Sequence, residues 1–143
     1  VIYLMGNVTV GGATLLTHCA SFLDPFARFI GLDGVILIAF ILGFPANEIV
    51  LPIIIMAYLS SGSMMELESL SALRSLLLSN GWTPVTAACT ILFSLFHFPC
   101  GTTCWTIAKE TKSVKWTLLA IVLPTAVGII LCAVVANVAR LLL

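Results

Sequence analysis

The chain has 143 residues, of which 61% are hydrophobic and only 8% charged, and its mean hydropathy is +1.20. A soluble domain would carry about a quarter charged residues, and one small core cannot bury this much apolar surface, so lipid must solvate much of it. These values exclude an ordinary soluble domain and predict an integral membrane protein. Six basic and six acidic residues give zero net charge, which argues against nucleic acid as a partner.

The five cysteines lack the paired spacing of a disulfide scaffold, so we expect free thiols. The sequence has no phosphate-binding loop of the form G-x-x-x-x-G-K-[ST], and hence no nucleotide-binding motif of its own. The chain begins with Val1 inside an apolar stretch, from which we expect a segment of a longer protein.

Residues 1–30 are predicted to form an amphipathic lead-in helix at the membrane surface. In "GATLLTHCASFLDPFARFI" apolar residues recur near the helical period, and polar residues lie mainly on the other side.

Residues 31–61 are predicted to form one broken membrane segment. "GLDGVILIAFILG" and "IVLPIIIMAYLSS" are each about half a bilayer long, and "FPANE" separates them. Pro45 lacks a backbone donor, so a continuous helix through this point is disfavoured. Residues 62–82 follow as an amphipathic connector.

Residues 83–143 contain the remaining membrane segments, with a helix broken at 98–103 around Pro99 and a final span at 116–139. Three lysines between them place the 109–115 loop in the cytoplasm by the positive-inside rule. The predicted fold class is therefore all-α integral membrane. It has about three membrane segments, helices interrupted near Pro45 and Pro99, and short amphipathic interfacial helices.

The two interruptions resemble each other. "ILGFPANE" and "LFHFPCGTT" both place Phe-Pro inside an apolar segment and follow it with small or polar residues. Paired interruptions are the best sequence pointer to a transporter's substrate site, because backbone freed at membrane depth must bond protein, water or an ion. The pattern predicts transport.

Cys100, His97 and Cys104 are the candidate metal ligands at the second interruption. Cys100 is expected at a helix N-terminus, where the macrodipole favours a thiolate, and Cys104 would share its helical face. Sulfur and imidazole donors suit a borderline-soft divalent metal. In the simpler alternative the cysteines are small apolar residues and His97 bonds a carbonyl. Thr102 and Thr103 are expected mainly to satisfy backbone left unpaired by Pro99.

Glu48 is the candidate ligand at the first interruption, because a carboxylate between two apolar half-spans is costly and marks a functional site by default. It would ligate a cation, relay a proton or pair with a base. Alternatively, "FPANE" lies at the interface and Glu48 is a hydrated helix cap.

The motifs "GFPANEIVLP", "FSLFHFPCGTT" and "KETKSVKWT" resemble the C-terminal membrane region of the prokaryotic ferrous iron transport protein B family, over roughly residues 12–135. The resemblance implies a multi-pass inner-membrane transporter of Fe2+, with this chain as its second gate. The Phe-Pro-Cys motif is Phe98-Pro99-Cys100 here, and Cys100 matches the family's proposed iron-handling cysteine. Roles for Glu48, His97 and Cys104 are inferred from their chemistry alone.

The resemblance also implies partners and cofactors. These are Fe2+ as cargo, the lipid bilayer, an upstream GTPase domain with a first gate, and small accessory iron-transport proteins. GTP would bind only in the upstream domain, and no cofactor is expected to be held permanently. The chain itself is expected not to be an enzyme.

Three alternatives stay open. A gate-fold carrier for a nucleoside or another small solute would need more hydrogen-bonding and aromatic groups at the break. A non-transporting membrane scaffold would tolerate replacement of Cys100 and Glu48. A membrane enzyme with Cys100 as nucleophile and His97 as base lacks an evident orienting acid.

Overall fold

The computed structural model describes residues 2–59 and 69–142, and the chain is almost wholly helical there. Within these two ranges the α-helices are, in chain order, α1 (Ile2–Asn7), α2 (Leu15–Phe29), α3 (Gly34–Leu42), α4 (Val50–Leu59), α5 (Leu70–Ser79), α6 (Pro84–Phe96), α7 (Gly101–Thr111) and α8 (Val114–Leu142). A 3-10 helix, Asn47–Ile49, leads directly into α4. The all-α class predicted from composition is confirmed.

A small antiparallel hairpin, which was not predicted from the sequence, separates α1 from α2. It pairs β1 (Thr9–Val10) with β2 (Ala13–Thr14). The turn between them is Gly11-Gly12, with φ of 65° and 90°, which glycine adopts without steric cost in a two-residue hairpin loop.

Four helices begin at a side chain that accepts a hydrogen bond from the third helical N–H. This is the usual N-cap arrangement, which satisfies one of the donors left free at a helix start. The caps of α2, α3, α5 and α6 are Thr14, Asp33, Ser69 and Thr83. The start of the predicted 62–82 connector lies outside the described residues, which resume at Ser69.

Two helical stretches are long and apolar enough to cross a membrane, 84–111 and 114–141. The first contains the break between α6 and α7. A third candidate is the pair α2 and α3, which bend by 109° relative to each other. Two or three spans agree with the predicted number of about three.

Both predicted helix interruptions are present. α3 ends at Leu42 and α4 begins at Val50, with Pro45 between them, and α6 ends at Phe96 before α7 begins at Gly101. The physical reason is the same at each point, since proline cannot donate the next hydrogen bond of a helix.

The core lies where α2 packs on α3, α3 on α4, and α6 on α8. Its largest fully buried side chains are Phe40, Leu16, Ile30, Ile36, Ile53, Ile54, Cys89 and Cys132. By contrast, α8 keeps many apolar side chains exposed, among them Leu119, Leu123 and Ile130. An apolar outer face of this kind is expected of a helix that lies against lipid.

Candidate functional site

The candidate site is the four-residue break between α6 and α7. His97 ends α6 in an extended conformation, and its backbone N–H still bonds the carbonyl of Phe93. Cys100, also extended, is the N-cap residue of α7, and its side chain makes no capping hydrogen bond. The thiol of Cys100 therefore stands at a helix N-terminus, as the sequence predicted.

The Cys100 thiol is held by two neighbouring hydroxyls. Its Sγ lies 3.1 Å from Oγ1 of Thr102 and 3.1 Å from Oγ1 of Thr103. Each hydroxyl can donate to sulfur, and hydrogen bonds to the ionised form favour the thiolate. The expectation that these threonines mainly cap the broken backbone is thus corrected: they bond the sulfur of Cys100.

His97 carries a buried nitrogen that has no partner. Its Nδ1 lies 2.9 Å from the carbonyl oxygen of Ser94, and because a carbonyl only accepts, Nδ1 must donate its proton there. Nε2 is buried and makes no hydrogen bond. The ring is packed among Phe40, Phe98 and Phe93, with centroids 5.0, 5.2 and 6.0 Å away. In the neutral ring, the lone pair of Nε2 therefore faces these aromatic side chains.

Cys104 is buried on α7, directly after the break. Its side chain is only 8% exposed, and its thiol donates to the carbonyl of Pro99 over 3.3 Å. This bond satisfies a carbonyl that the interruption leaves without a helical donor. Cys104 would have to release it in order to bind a metal as a thiolate.

Glu48 lies at the other interruption, in the 3-10 helix before α4, and its side chain is exposed. In the parts of the chain that the structure describes, no group of three or more His, Cys, Asp and Glu side chains is placed to hold a metal ion. Three of the four predicted ligands share one break, and Glu48 does not join them in such a cluster.

The two interruptions are in direct contact. The backbone N–H of Gly101 donates to the carbonyl of Phe44 over 2.7 Å, and the rings of Phe44 and Phe98 lie 5.7 Å apart. Phe44 was not among the predicted site residues. The repeated Phe-Pro was the one sequence signal that pointed to it.

The remaining cysteines lie away from the break, and all five in the chain are free thiols, as expected. Cys89 on α6 and Cys132 on α8 are fully buried, and each thiol donates to the other residue's carbonyl. These hydrogen bonds connect α6 to α8. Because both thiols are buried and engaged, neither is placed to bind a ligand.

Comparison with known proteins identifies the family of this chain. A family model described as "Gate: Nucleoside recognition" matches residues 11–114. The "Fe(2+) transporter FeoB" of Staphylococcus aureus strain MSSA476 is 41% identical over 54 residues, which cover 38% of this chain and 8% of the relative. The protein of that name from strain COL is 36% identical over 64 residues, covering 45% and 10%.

The chain spans between 8% and 10% of the length of these curated relatives. No solved structure matches it significantly. The resemblance drawn from the motifs is confirmed, and the matches indicate part of a membrane transporter rather than an enzyme.

Proposed function

This chain belongs to the Gate family, and from that membership we propose that it is the second gate of a prokaryotic Fe2+ uptake transporter, lining the ion path in the inner membrane. Two relatives named as Fe(2+) transporters support the choice of cargo. In this proposal Fe2+ is the transported substrate, and GTP acts only in an upstream domain that also brings the first gate.

The observation that carries the proposal is the buried, unpartnered Nε2 of His97 at the same break as the Cys100 thiol. Leaving a buried acceptor unsatisfied costs about 1–3 kcal/mol, so such a group calls for a role. The bond from Nδ1 to the Ser94 carbonyl fixes the tautomer in the manner typical of metal-binding histidines.

The proposed path runs through the break because the Cys100 thiol and the unpartnered Nε2 of His97 both lie there. Cys100 receives Fe2+ as the first protein ligand, with Thr102 and Thr103 stabilising its thiolate. His97 supplies nitrogen on the dry side, and Glu48 and Cys104 are secondary ligands that require rearrangement.

Sulfur and imidazole donors favour Fe2+ over Mg2+ and Ca2+, which prefer oxygen ligands. Mn2+, Co2+ and Zn2+ would compete for the same donors. Selection among these metals would then depend on the geometry of the open site.

The test is anaerobic Fe2+ uptake by cells that express the full transporter containing this segment, native or with Cys100→Ser, at matched membrane levels. We expect uptake to fall at least about tenfold, the scale on which loss of a metal-site group acts. Cys19→Ser is the matched control, because Cys19 is a free thiol on α2 that lies outside the break. Unchanged uptake in Cys100→Ser would remove Cys100 from the path.

A second candidate is a carrier of nucleosides, favoured by the description of the family model. It predicts saturable uptake of a labelled nucleoside that is insensitive to Cys100→Ser. Measuring both cargoes in the same cells separates the two proposals.

A further inference from the structure

A second feature lies at the opposite end of the spans from the lysine loop. A cleft of about 960 Å³ opens where α6 begins and α8 ends, beside the bend between α2 and α3. Its volume is at the upper end of the range of about 300–1,000 Å³ typical of ligand sites. None of the residues of the Cys100 break lines it.

Two arginines from distant parts of the chain line this cleft. Arg140 on α8 donates from Nη2 to the backbone carbonyl of Arg28 on α2. Arg28 is paired through Nε with Asp24 at 2.6 Å. Across 2–59 and 69–142, no carboxylate pairs with Arg140. Arg140 therefore brings a positive charge into the cleft that no acid compensates directly.

Asp33 is the acid that lines the cleft. Both of its carboxylate oxygens already accept hydrogen bonds from neighbouring groups. One oxygen accepts the Ile36 N–H at 2.7 Å, and the other accepts the Tyr58 hydroxyl at 2.5 Å. Both oxygens are thus engaged within the wall, and neither forms an ion pair with Arg140 among the described residues. The positive end of the α6 dipole, at Thr83 and Pro84, adds to the attraction for an anion.

The position of the cleft favours a lipid phosphate as the anion. The stretches 84–111 and 114–141 are joined by a short turn at 112–113, so residues 84 and 141 lie at the same membrane boundary. Lipid phosphates are abundant at that depth. Leu32, Val85 and Ala136 form an apolar part of the wall, suited to the first methylene groups below a headgroup.

We propose that this cleft binds the headgroup phosphate of an anionic phospholipid, with Arg140 as its main ligand. The planar guanidinium fork matches two phosphate oxygens at once. Arg28 orients Arg140, because its backbone carbonyl accepts a hydrogen bond from Nη2 of Arg140. The site is independent of the proposed iron path, and it ties the outer ends of α2, α6 and α8 to the bilayer.

The experiment is thermal unfolding of the full chain in neutral detergent, followed by tryptophan fluorescence. Phosphatidylglycerol is expected to raise the midpoint of the native protein by about 3 °C or more, as a ligand that binds only the folded state does. Phosphatidylcholine and inorganic phosphate should each shift it by less than about 1 °C.

Two variants locate the effect. Arg140→Gln should lose the phosphatidylglycerol shift, and so should Ala139→Phe, which fills the cleft while keeping both guanidiniums. Lys115→Gln, at the other end of α8, should keep it. If Arg140→Gln does not fold, the Ala139→Phe comparison decides.

Three results would overturn the proposal. Equal protection of native protein, Arg140→Gln and Ala139→Phe would mean that lipid acts elsewhere. Equal protection by phosphatidylcholine would remove the requirement for an anionic headgroup. A full shift with inorganic phosphate alone would assign the cleft to a soluble anion.

Discussion

The carbonyl of Phe44 and the N–H of Gly101 form a hydrogen bond of 2.7 Å that joins the two helix interruptions. Each group is one that a helix end leaves without an internal partner, Phe44 just beyond α3 and Gly101 at the first position of α7. By pairing, they satisfy each other at a depth where lipid offers no hydrogen bond. The two breaks are therefore one structural unit.

Gly101→Ala tests this unit. A Cβ at Gly101 would lie 3.2 Å from Cε1 of Phe44 and 3.5 Å from its carbonyl oxygen, so the ring must move. We expect the free energy of unfolding to fall by about 1–2 kcal/mol, although alanine by itself favours helix over glycine by up to about 1 kcal/mol. Chemical denaturation in detergent measures the change.

The double variant Gly101→Ala/Phe44→Ala is the control, because it removes the ring that Cβ would strike. On that background Gly101→Ala should be neutral or stabilising. The cost of the alanine should therefore disappear when the Phe44 ring is absent. If Gly101→Ala is equally destabilising with and without the Phe44 ring, the contact is not its cause.

His97→Phe separates stability from transport. Phenylalanine keeps a planar ring among Phe40, Phe93 and Phe98 and removes the orphaned Nε2. The lost bond to Ser94 costs about 1 kcal/mol, and the removed unsatisfied group returns about 1–3 kcal/mol. We expect unchanged or slightly higher stability, together with Fe2+ uptake reduced at least about tenfold.

His18→Phe is the matched histidine control, since His18 is exposed and bonds the carbonyl of Val10 on the hairpin. It should leave uptake unchanged. Normal uptake per folded molecule in His97→Phe would show that His97 is only a packing residue.

Tyr58→Phe removes the middle member of a chain of hydrogen bonds. The Tyr58 hydroxyl donates to Asp33, the cap of α3, and accepts from the indole N–H of Trp82 at 2.8 Å. Both partners lose their bond, so we expect a loss of about 1–3 kcal/mol in unfolding free energy and a changed Trp82 emission. In Trp82→Phe protein, Tyr58→Phe should lower the unfolding free energy by less. An equal loss in both backgrounds would mean that the Tyr58–Trp82 hydrogen bond does not contribute to stability.

Thiol labelling reads the burial of the cysteines directly. Cys100 is partly exposed, whereas Cys89 and Cys132 are fully buried. With a maleimide, Cys100 should react at least about tenfold faster than either buried thiol, because those react only when the protein opens. Peptide mapping measures the rates, and unfolded protein, in which the thiols should react alike, is the control.

Fe2+ should protect Cys100 from the same reagent. Under anaerobic conditions we expect its labelling to slow with added Fe2+ but not with Mg2+, since the latter prefers oxygen ligands. Labelling of Cys19 should not change with either ion. Equal rates for Cys100 with and without Fe2+ would argue against a metal site at this thiol.

Several features were predictable because they depend on local chemistry. The low charge of the chain indicated a membrane protein, and Pro45 and Pro99 located both interruptions, because proline supplies no backbone N–H to continue a helix. Proline alone is not sufficient, since α2 and α8 continue through Pro25 and Pro124. The position of Cys100 at a helix start followed from Pro99. Its partners Thr102 and Thr103 were named, but their bond to sulfur was not foreseen.

Other features depended on contacts between distant residues. Nothing in the spacing of His97 shows that Nδ1 is bonded and Nε2 is not, since that depends on how Phe40 and Phe98 pack around the ring. Glu48 was predicted as a ligand or a hydrated cap at the first interruption, and only the folded chain shows that its side chain is exposed there. Side-chain donors converge only after the helices pack.

The sequence by itself determined that lipid surrounds much of this protein, that the chain is helical, and that its helices break near Pro45 and Pro99. It could do so because hydropathy and proline act within a few residues. Only the tertiary structure decided that Phe44 meets Gly101 and that Arg140 meets Arg28. Those pairings join helix ends far apart in the chain. They form because polar groups at helix ends need hydrogen-bond partners, which the neighbouring helices supply only once they pack.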